Sequence, residues 1–228
     1  MDLKSIKQYM HTIQEGFEQA ANPKIAEGQQ AYMKHRFAFY GIKSPERRLL
    51  QRPFFLRAQL PQKEYLPLVI KCLWQKPQRE LQYFGQELAL KYVKSLEVKD
   101  LTLFEYMITH KSRWDTVDFI SSNLMGNYFK SFPDQRWPAC KRWLKSDDLW
   151  LQRATLLFQL KYKRDTDTEL LQYNINYLLG SEAFFINKAI GWILREYSKT
   201  NPGWVRDFVK KTDLNALSRR EAIKYIQI

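Results

Sequence analysis

Arg113-Trp114-Asp115-Thr116-Val117-Asp118-Phe119-Ile120-Ser121-Ser122-Asn123-Leu124-Met125-Gly126-Asn127-Tyr128-Phe129 decides the fold. Phe119, Ile120, Leu124 and Met125 recur as on one helix, and the segment has counterparts along the chain. Similar segments begin at Pro45 (PERRLLQRPFF), Arg79 (RELQYFGQELALKY), Leu149 (LWLQRATLLFQLKYK), Glu182 (EAFFINKAIGWILREY) and Ser218 (SRREAIKYIQI). With Arg113 included, successive starts lie 34, 34, 36, 33 and 36 residues apart. Shorter amphipathic helices are expected between them, from Lys63 to Trp74, Leu101 to His110, Asp134 to Leu144, Thr168 to Leu179 and Pro202 to Lys210. A helix-turn-helix unit of this length buries its apolar face only by stacking on its neighbours. The Trp-Leu-Gly and Pro signature of tetratricopeptide repeats is missing, so the expectation is all-α, a HEAT-like α-solenoid of antiparallel helix pairs with a concave basic face.

The punctuation agrees. Ser44-Pro45-Glu46 reads as a cap, a Pro at the first helical position and an acid at the positive end of the helix dipole. Lys76-Pro77, Phe132-Pro133-Asp134, Arg164-Asp165-Thr166-Asp167 and Asn201-Pro202 mark turns at matching places. Leu3, Ile6, Met10, Ile13 and Phe17 lie at helical spacing, and a second helix carries Ile25, Tyr32, Met33 and Phe37. Residues 1–40 are therefore expected to cap a single domain spanning 1–228, with no interdomain linker.

Lys and Arg number 37 against 24 Asp and Glu, a net charge of +13, which points to a polyanionic partner, nucleic acid before an anionic membrane. No apolar run reaches the roughly 18 residues of a spanning helix, and Met1-Asp2-Leu3-Lys4 does not open a secretory signal, so a cytoplasmic protein is expected. Cys72 and Cys140 lie far apart without His or Cys at ligand spacing, which argues for reduced thiols and against zinc. His11, His35 and His110 form no chelating pair. Only His110, beside the central stretch, is placed to act as a base, and a lone His is more often structural.

Trp114 and Asp118, four residues apart, share one helix face, while Asp115 is the natural cap or dipole partner. If the second helices of successive repeats line the concave face, Arg153 falls on the next repeat and Trp192 on the one after. Leu149-Trp150-Leu151-Gln152-Arg153 sets a guanidinium among apolar neighbours, costly unless it meets an anion. That anion is either a phosphate or a buried acid of the chain such as Asp118, and the residues alone leave both open. Phe184-Phe185 and Gly191-Trp192 place further aromatics near Lys188 and Arg195, a pattern that core packing also produces.

Several of these segments carry a resemblance. Tyr32-Met33-Lys34, Gly41-Ile42-Lys43-Ser44-Pro45-Glu46-Arg47-Arg48, Trp114-Asp115-Thr116-Val117-Asp118, Trp150-Leu151-Gln152-Arg153-Ala154, Phe158-Gln159-Leu160-Lys161-Tyr162-Lys163 and Lys188-Ala189-Ile190-Gly191-Trp192-Ile193-Leu194-Arg195-Glu196-Tyr197 are similar to the bacterial DNA alkylation-repair glycosylases of the AlkD type. They run in order from about Leu3 to Ile226. The resemblance implies a HEAT-like solenoid that excises positively charged N3- and N7-alkylated purines from duplex DNA. It also implies no metal or other cofactor, a monomer, action at the bacterial nucleoid, and a lesion that stays stacked while sugar and backbone are held. By the same resemblance Asp118 is the catalytic carboxylate, Trp114 and Trp192 are the indoles around the deoxyribose, and Arg153 is the phosphate-binding arginine. Tyr32, Lys161, Phe184 and Phe185 match further DNA-facing positions.

The implied chemistry is reasonable from the residues up. Breaking a glycosidic bond develops oxocarbenium charge, which a carboxylate stabilises while orienting water. A cationic purine departs neutral, so no second acid is required. The competing reading is a non-catalytic HEAT-repeat protein that binds distorted duplex by charge and shape. A protein-binding scaffold explains the repeats but not the charge.

Overall fold

The computed structural model describes residues 3–226, with side chains from Ser5 onward. The side chain of Leu3, the Met1-Asp2 start and the closing Gln227-Ile228 lie outside the described residues. Every element is helical, as an α-solenoid of helix pairs requires, and no β-strand occurs among the described residues. No described helix is long and apolar enough to cross a membrane. Two compact units divide the chain, Met1–Ser95 and Leu96–Ile228.

The first unit contains α1 (Leu3–Gln19), α2 (Pro23–Tyr32), α3 (Ser44–Gln51), α4 (Leu66–Gln75) and α5 (Arg79–Leu90). Ile6, Ile13 and Phe17, spaced to share one face of α1, are each 1% exposed, and Phe17 meets Phe84 of α5 edge to face. The long connection between α2 and α3 is held by Glu80. This carboxylate, 1% exposed, accepts the backbone N–H groups of Tyr40, Gly41 and Ile42 at 3.1, 3.0 and 3.2 Å. Gly41 is required there: its φ is +88°, and a Cβ would lie 2.1 Å from the Asn22 carbonyl oxygen. The second helix stops before the expected Phe37 because Lys34 and His35 both take φ 54°, folding the chain back so that Lys34 and His35 donate to the carbonyls of Ala31 and Gln30. α3 begins on Ser44 itself, with Lys43 at the cap position making no side-chain bond, so Ser44 is not the cap read from the sequence.

The second unit contains α6 (Asp100–Thr109), α7 (Trp114–Phe119), a π-helical turn (Ile120–Met125), α8 (Gly126–Ser131), α9 (Arg136–Leu144), α10 (Leu149–Leu157), α11 (Thr168–Tyr177), α12 (Phe184–Ser198), α13 (Pro202–Lys211) and α14 (Ala216–Ala222). Its core joins Leu156, Leu157, Leu171, Ile175, Ile186, Ile190, Leu194, Val205 and Val209, all at most 1% exposed. Gly191 lets α14 approach α12, since a Cβ would stand 2.5 Å from Glu221 Cβ and 2.9 Å from the Ser218 carbonyl. α10 ends at Leu157 rather than near Lys163. There the Gln159 side chain exchanges two hydrogen bonds with the backbone of Asp167, at 2.7 and 3.2 Å, and Lys163 takes φ 55°.

Candidate functional site

The α7 helix and the turn behind it position the central carboxylate. Arg113 has extended backbone, φ −160° and ψ 159°, and its carbonyl accepts from Thr116 and Val117 to start the helix. Asp115 sits in the first turn as the dipole partner. Trp114 is the first helical residue, half-buried, with Asp118 one turn on.

From Ile120, two residues past Asp118, the helix widens into π geometry, and three consecutive side chains supply a cause. Ser121 Oγ donates to the Val117 carbonyl (2.7 Å), Ser122 Oγ to that of Asp118 (2.7 Å) and Asn123 Nδ2 to that of Phe119 (2.9 Å). Each side chain engages the carbonyl four residues back, which eases the ladder toward the wider spacing. Gly126 then lets the end of α10 come close, because a Cβ would lie 2.8 Å from the Phe158 carbonyl, and the Gly126 carbonyl accepts from Tyr162 Oη at 2.7 Å.

That approach sets α10 beside α7 and brings Arg153 to Asp118. Its Nε donates to Asp118 Oδ1 at 2.8 Å and its Nη2 to Asp118 Oδ2 at 2.9 Å, a two-pronged pair. Nη1 donates to the Phe185 carbonyl. Arg153 is 3% exposed, and the Asp118 side chain retains 17% exposure. Both Asp118 oxygens accept from the guanidinium. Burial pushes the Asp118 carboxyl above its ordinary value. The hydrogen bonds and charge of Arg153 oppose that rise, and the charge of Asp115 adds to it. Asp148 caps α10 by accepting from Trp150 and Leu151 at 2.8 and 2.9 Å, and Gln152 ties it back to α9 through the Leu144 and Ser146 carbonyls.

Phe185 joins the group from α12. Besides its carbonyl bond to Arg153, its ring centroid lies 5.0 Å from that of Trp150, 5.9 Å from the Arg153 guanidinium carbon and 5.3 Å from that of Arg113. Phe184, the first residue of α12, is 59% exposed and contacts Phe185 edge to face. Lys161 is exposed beyond the end of α10, and its Nζ donates to Asn123 Oδ1 at 2.5 Å, which ties it to the π turn. Asp118, Arg153 and Phe185 are thus drawn together, with Lys161 attached through Asn123. Trp192, in the middle of α12, packs partly buried against the core of the second unit, and no hydrogen bond or ring contact among the described residues joins it to Asp118. Tyr32 ends α2 in the first unit and is 72% exposed.

Arg113, Asn123 and Trp150 were not singled out from the sequence. The only signal for the turn was the run Ser121-Ser122-Asn123 in mid-helix, where such residues compete for backbone carbonyls. His110, considered as a base, instead ends α6, with Nδ1 3.0 Å from the Tyr106 carbonyl and its ring stacked on Tyr106 at 4.0 Å. No group of three or more His, Cys, Asp or Glu among the described residues could hold a metal. Cys140 is buried, its thiol pushed up to about 12 by burial.

The family described as DNA alkylation repair enzyme matches residues 13–226. A solved structure titled "Predicted DNA alkylation repair enzyme from Enterococcus faecalis" is 36% identical, superposes with a TM-score of 0.84, and shares 90% of this chain and 96% of its own. No curated protein matches the chain. The match over nearly the whole length, together with the all-helical fold, places this chain in the DNA alkylation repair enzyme family.

Proposed function

We propose that the protein is a DNA glycosylase that hydrolyses the N-glycosidic bond of positively charged N3- and N7-alkylated purines in duplex DNA. One observation supports this most: Asp118 is a carboxylate whose two oxygens are held by Arg153 while part of its side chain remains open to solvent. A carboxylate fixed before substrate arrives does not need to reorganise as positive charge grows on the sugar, the condition under which electrostatic stabilisation is most effective. Asp118 opposes the oxocarbenium charge and orients the attacking water, and the alkylated purine leaves neutral without a general acid. Trp114 and Trp192 face the deoxyribose, where indole surfaces favour a cationic sugar. The lesion remains stacked in the duplex, and Tyr32, Lys161, Phe184 and Phe185 contribute further DNA contacts. Arg153 orients Asp118 and, as the resemblance implies, meets a DNA phosphate beside it.

The +13 charge draws the duplex to a basic face of the helical stack. In this reading residues 1–228 work as one domain capped by 1–40, as a cytoplasmic monomer without a cofactor.

The test is single-turnover release of 7-methylguanine from methylated duplex by the wild type and Asp118→Asn, with thermal melts of both. The expected loss is about a hundredfold to a thousandfold in the folded variant. Full activity of folded Asp118→Asn overturns the assignment of Asp118. Tight duplex binding by the wild type without any base release returns the protein to the non-catalytic reading.

A further inference from the structure

One carboxylate on α14 holds two cations of α12. Glu221 Oε1 accepts from Lys188 Nζ at 2.7 Å, and Glu221 Oε2 accepts from Arg195 Nη1. Lys188 and Arg195 stand two turns apart on one side of α12, and Trp192 lies between them, one turn beyond Lys188. Glu221 therefore spans the part of α12 that carries the indole. The approach of the two backbones fixes it there. A Cβ on Gly191 would lie 2.5 Å from Glu221 Cβ, and Ser218 Oγ, one turn earlier on α14, donates to the Asn187 carbonyl at 2.8 Å. Asn187, Lys188, Gly191 and Arg195, on successive turns of α12, are thus all engaged by α14.

The cluster carries more positive charge than its carboxylate neutralises. The Glu221 carboxyl is held below its ordinary value, first by the hydrogen bond from Lys188, against burial, and further by the charges of Lys188, Arg195 and Lys224. The two partners are not equally placed: the Lys188 side chain is 41% exposed and that of Arg195 23%. A latch between two helices is served by the deeper Arg195 alone. Lys188 is the partner left open to solvent, one turn from Trp192, and an ammonium has three donors of which Glu221 takes one. A lysine on an unheld stem surrenders its rotamer freedom when it meets an anion, whereas one already drawn to Glu221 has given up part of that freedom in folding.

We propose that Glu221 is a positioning residue: from α14 it holds Lys188 beside Trp192, where the ammonium meets the phosphate backbone of the strand whose sugar the indole faces. This deepens the glycosylase reading and rests on it for the role of Trp192, but the contact of Lys188 needs only duplex binding. It adds to the phosphate contact of Arg153 and does not replace it.

The experiment measures affinity for duplex DNA carrying a tetrahydrofuran abasic analogue, so that no chemistry is involved, with thermal melts of every variant. Lys188→Gln should bind about tenfold more weakly, the scale of a hydrogen bond to a charged group, with a log K against log salt slope shallower by about 0.9. Lys188→Arg, which keeps the charge and the reach to Glu221, should stay within about twofold of wild type. Glu221→Gln decides the sign. It removes a negative charge, so charge alone predicts tighter binding to DNA. Positioning predicts weaker binding, by about threefold to tenfold, the scale of ordering one long side chain at an interface. In the Lys188→Gln background the same substitution should cause no further loss. Lys210→Ala, an exposed control on α13, should keep the wild-type response to the Glu221 substitution.

Unchanged or tighter binding by folded Glu221→Gln overturns the proposal, as does a loss that persists in the Lys188→Gln background, which would show Glu221 acting through the fold. Lys188→Gln leaves Glu221 paired with Arg195, so unchanged affinity of this variant overturns the proposal by itself even where Glu221→Gln fails to fold. Absence of duplex binding by the wild type overturns it as well. Release of 7-methylguanine is measured in parallel. A wild type that shows the coupling of Glu221 to Lys188 but releases no base sinks the glycosylase reading and leaves the positioning role standing, whereas release without the coupling sinks the positioning role alone.

Discussion

Removing either member of the Asp118–Arg153 pair should cost far more stability than removing both. The structure sets the sizes. Arg153 is 4% and Asp118 17% exposed at the side chain, and the two hydrogen bonds are 2.8 and 2.9 Å long. Arg153→Met leaves the Asp118 carboxylate buried without its counter-charge and strips the Phe185 carbonyl of its donor, which should destabilise by about 3 to 5 kcal/mol. Asp118→Asn leaves the guanidinium facing one amide oxygen and one N–H pair, two sets of donors opposed, at a similar cost of about 3 kcal/mol. The pair itself, however, is not a large net source of stability, because burial outweighs Arg153 in the balance that sets the Asp118 carboxyl above its ordinary value. The double variant Asp118→Asn/Arg153→Met should therefore lie within about 1 kcal/mol of the wild type, a coupling of several kcal/mol in the double-mutant cycle. Urea denaturation of the four proteins measures it, with unchanged m-values confirming a common unfolding transition. Additive losses, with the double variant the sum of the singles, would refute the account of a mutually compensating buried pair.

Three further outcomes follow from the same packing. Because the folded-state pKa of Asp118 is raised above 3.8, its protonation favours the folded state: that contribution is complete below the unfolded value and is lost as pH rises through the folded one. The stability difference between wild type and the double variant should thus shift toward wild type as pH falls from neutral toward 3.8, and a pH-independent difference in urea titrations would contradict the direction. Gly191→Ala should destabilise by about 1 to 3 kcal/mol by forcing α14 off α12, since the new methyl meets Glu221 Cβ and a backbone carbonyl, and an unchanged melting temperature would show that this contact yields freely. At pH 8 Cys140, its thiol pushed up to about 12, should resist alkylation until urea unfolds the protein, whereas labelling at native rates comparable to a free thiol would show the burial to be wrong.

The helices were readable because each repeat must present an apolar stripe to its neighbour, and that need writes a period into the chain. Val117, Ile120, Leu124 and Met125 are fully buried, and the turns fell close to Pro77, Pro133 and Pro202. Errors collected at helix ends. At Lys34, His35 and Lys163 the backbone turns left-handed in residues that carry no local sign of it, and the closing bonds come from partners such as Gln159 and Asp167, eight positions apart. Local propensity does not contain such information.

At the site the residue types were readable but their pairing was not. That Arg153 needed an anion followed from its apolar neighbours. Which anion it found depends on the distance between two helices 35 residues apart in the chain. That distance is set by Gly126 and by the Tyr162 hydroxyl on its carbonyl, neither of which looks chemical in the sequence. The π turn links these facts. Ser121, Ser122 and Asn123 engage the carbonyls of Val117, Asp118 and Phe119, and the last of them also receives Lys161. The segment that widens the helix behind the carboxylate is therefore the one that holds the exposed lysine. The Asp118–Arg153 pair, the close approach at Gly126 and the hold on Lys161 all adjoin one local irregularity, which places the interruption of a regular helix directly behind the carboxylate.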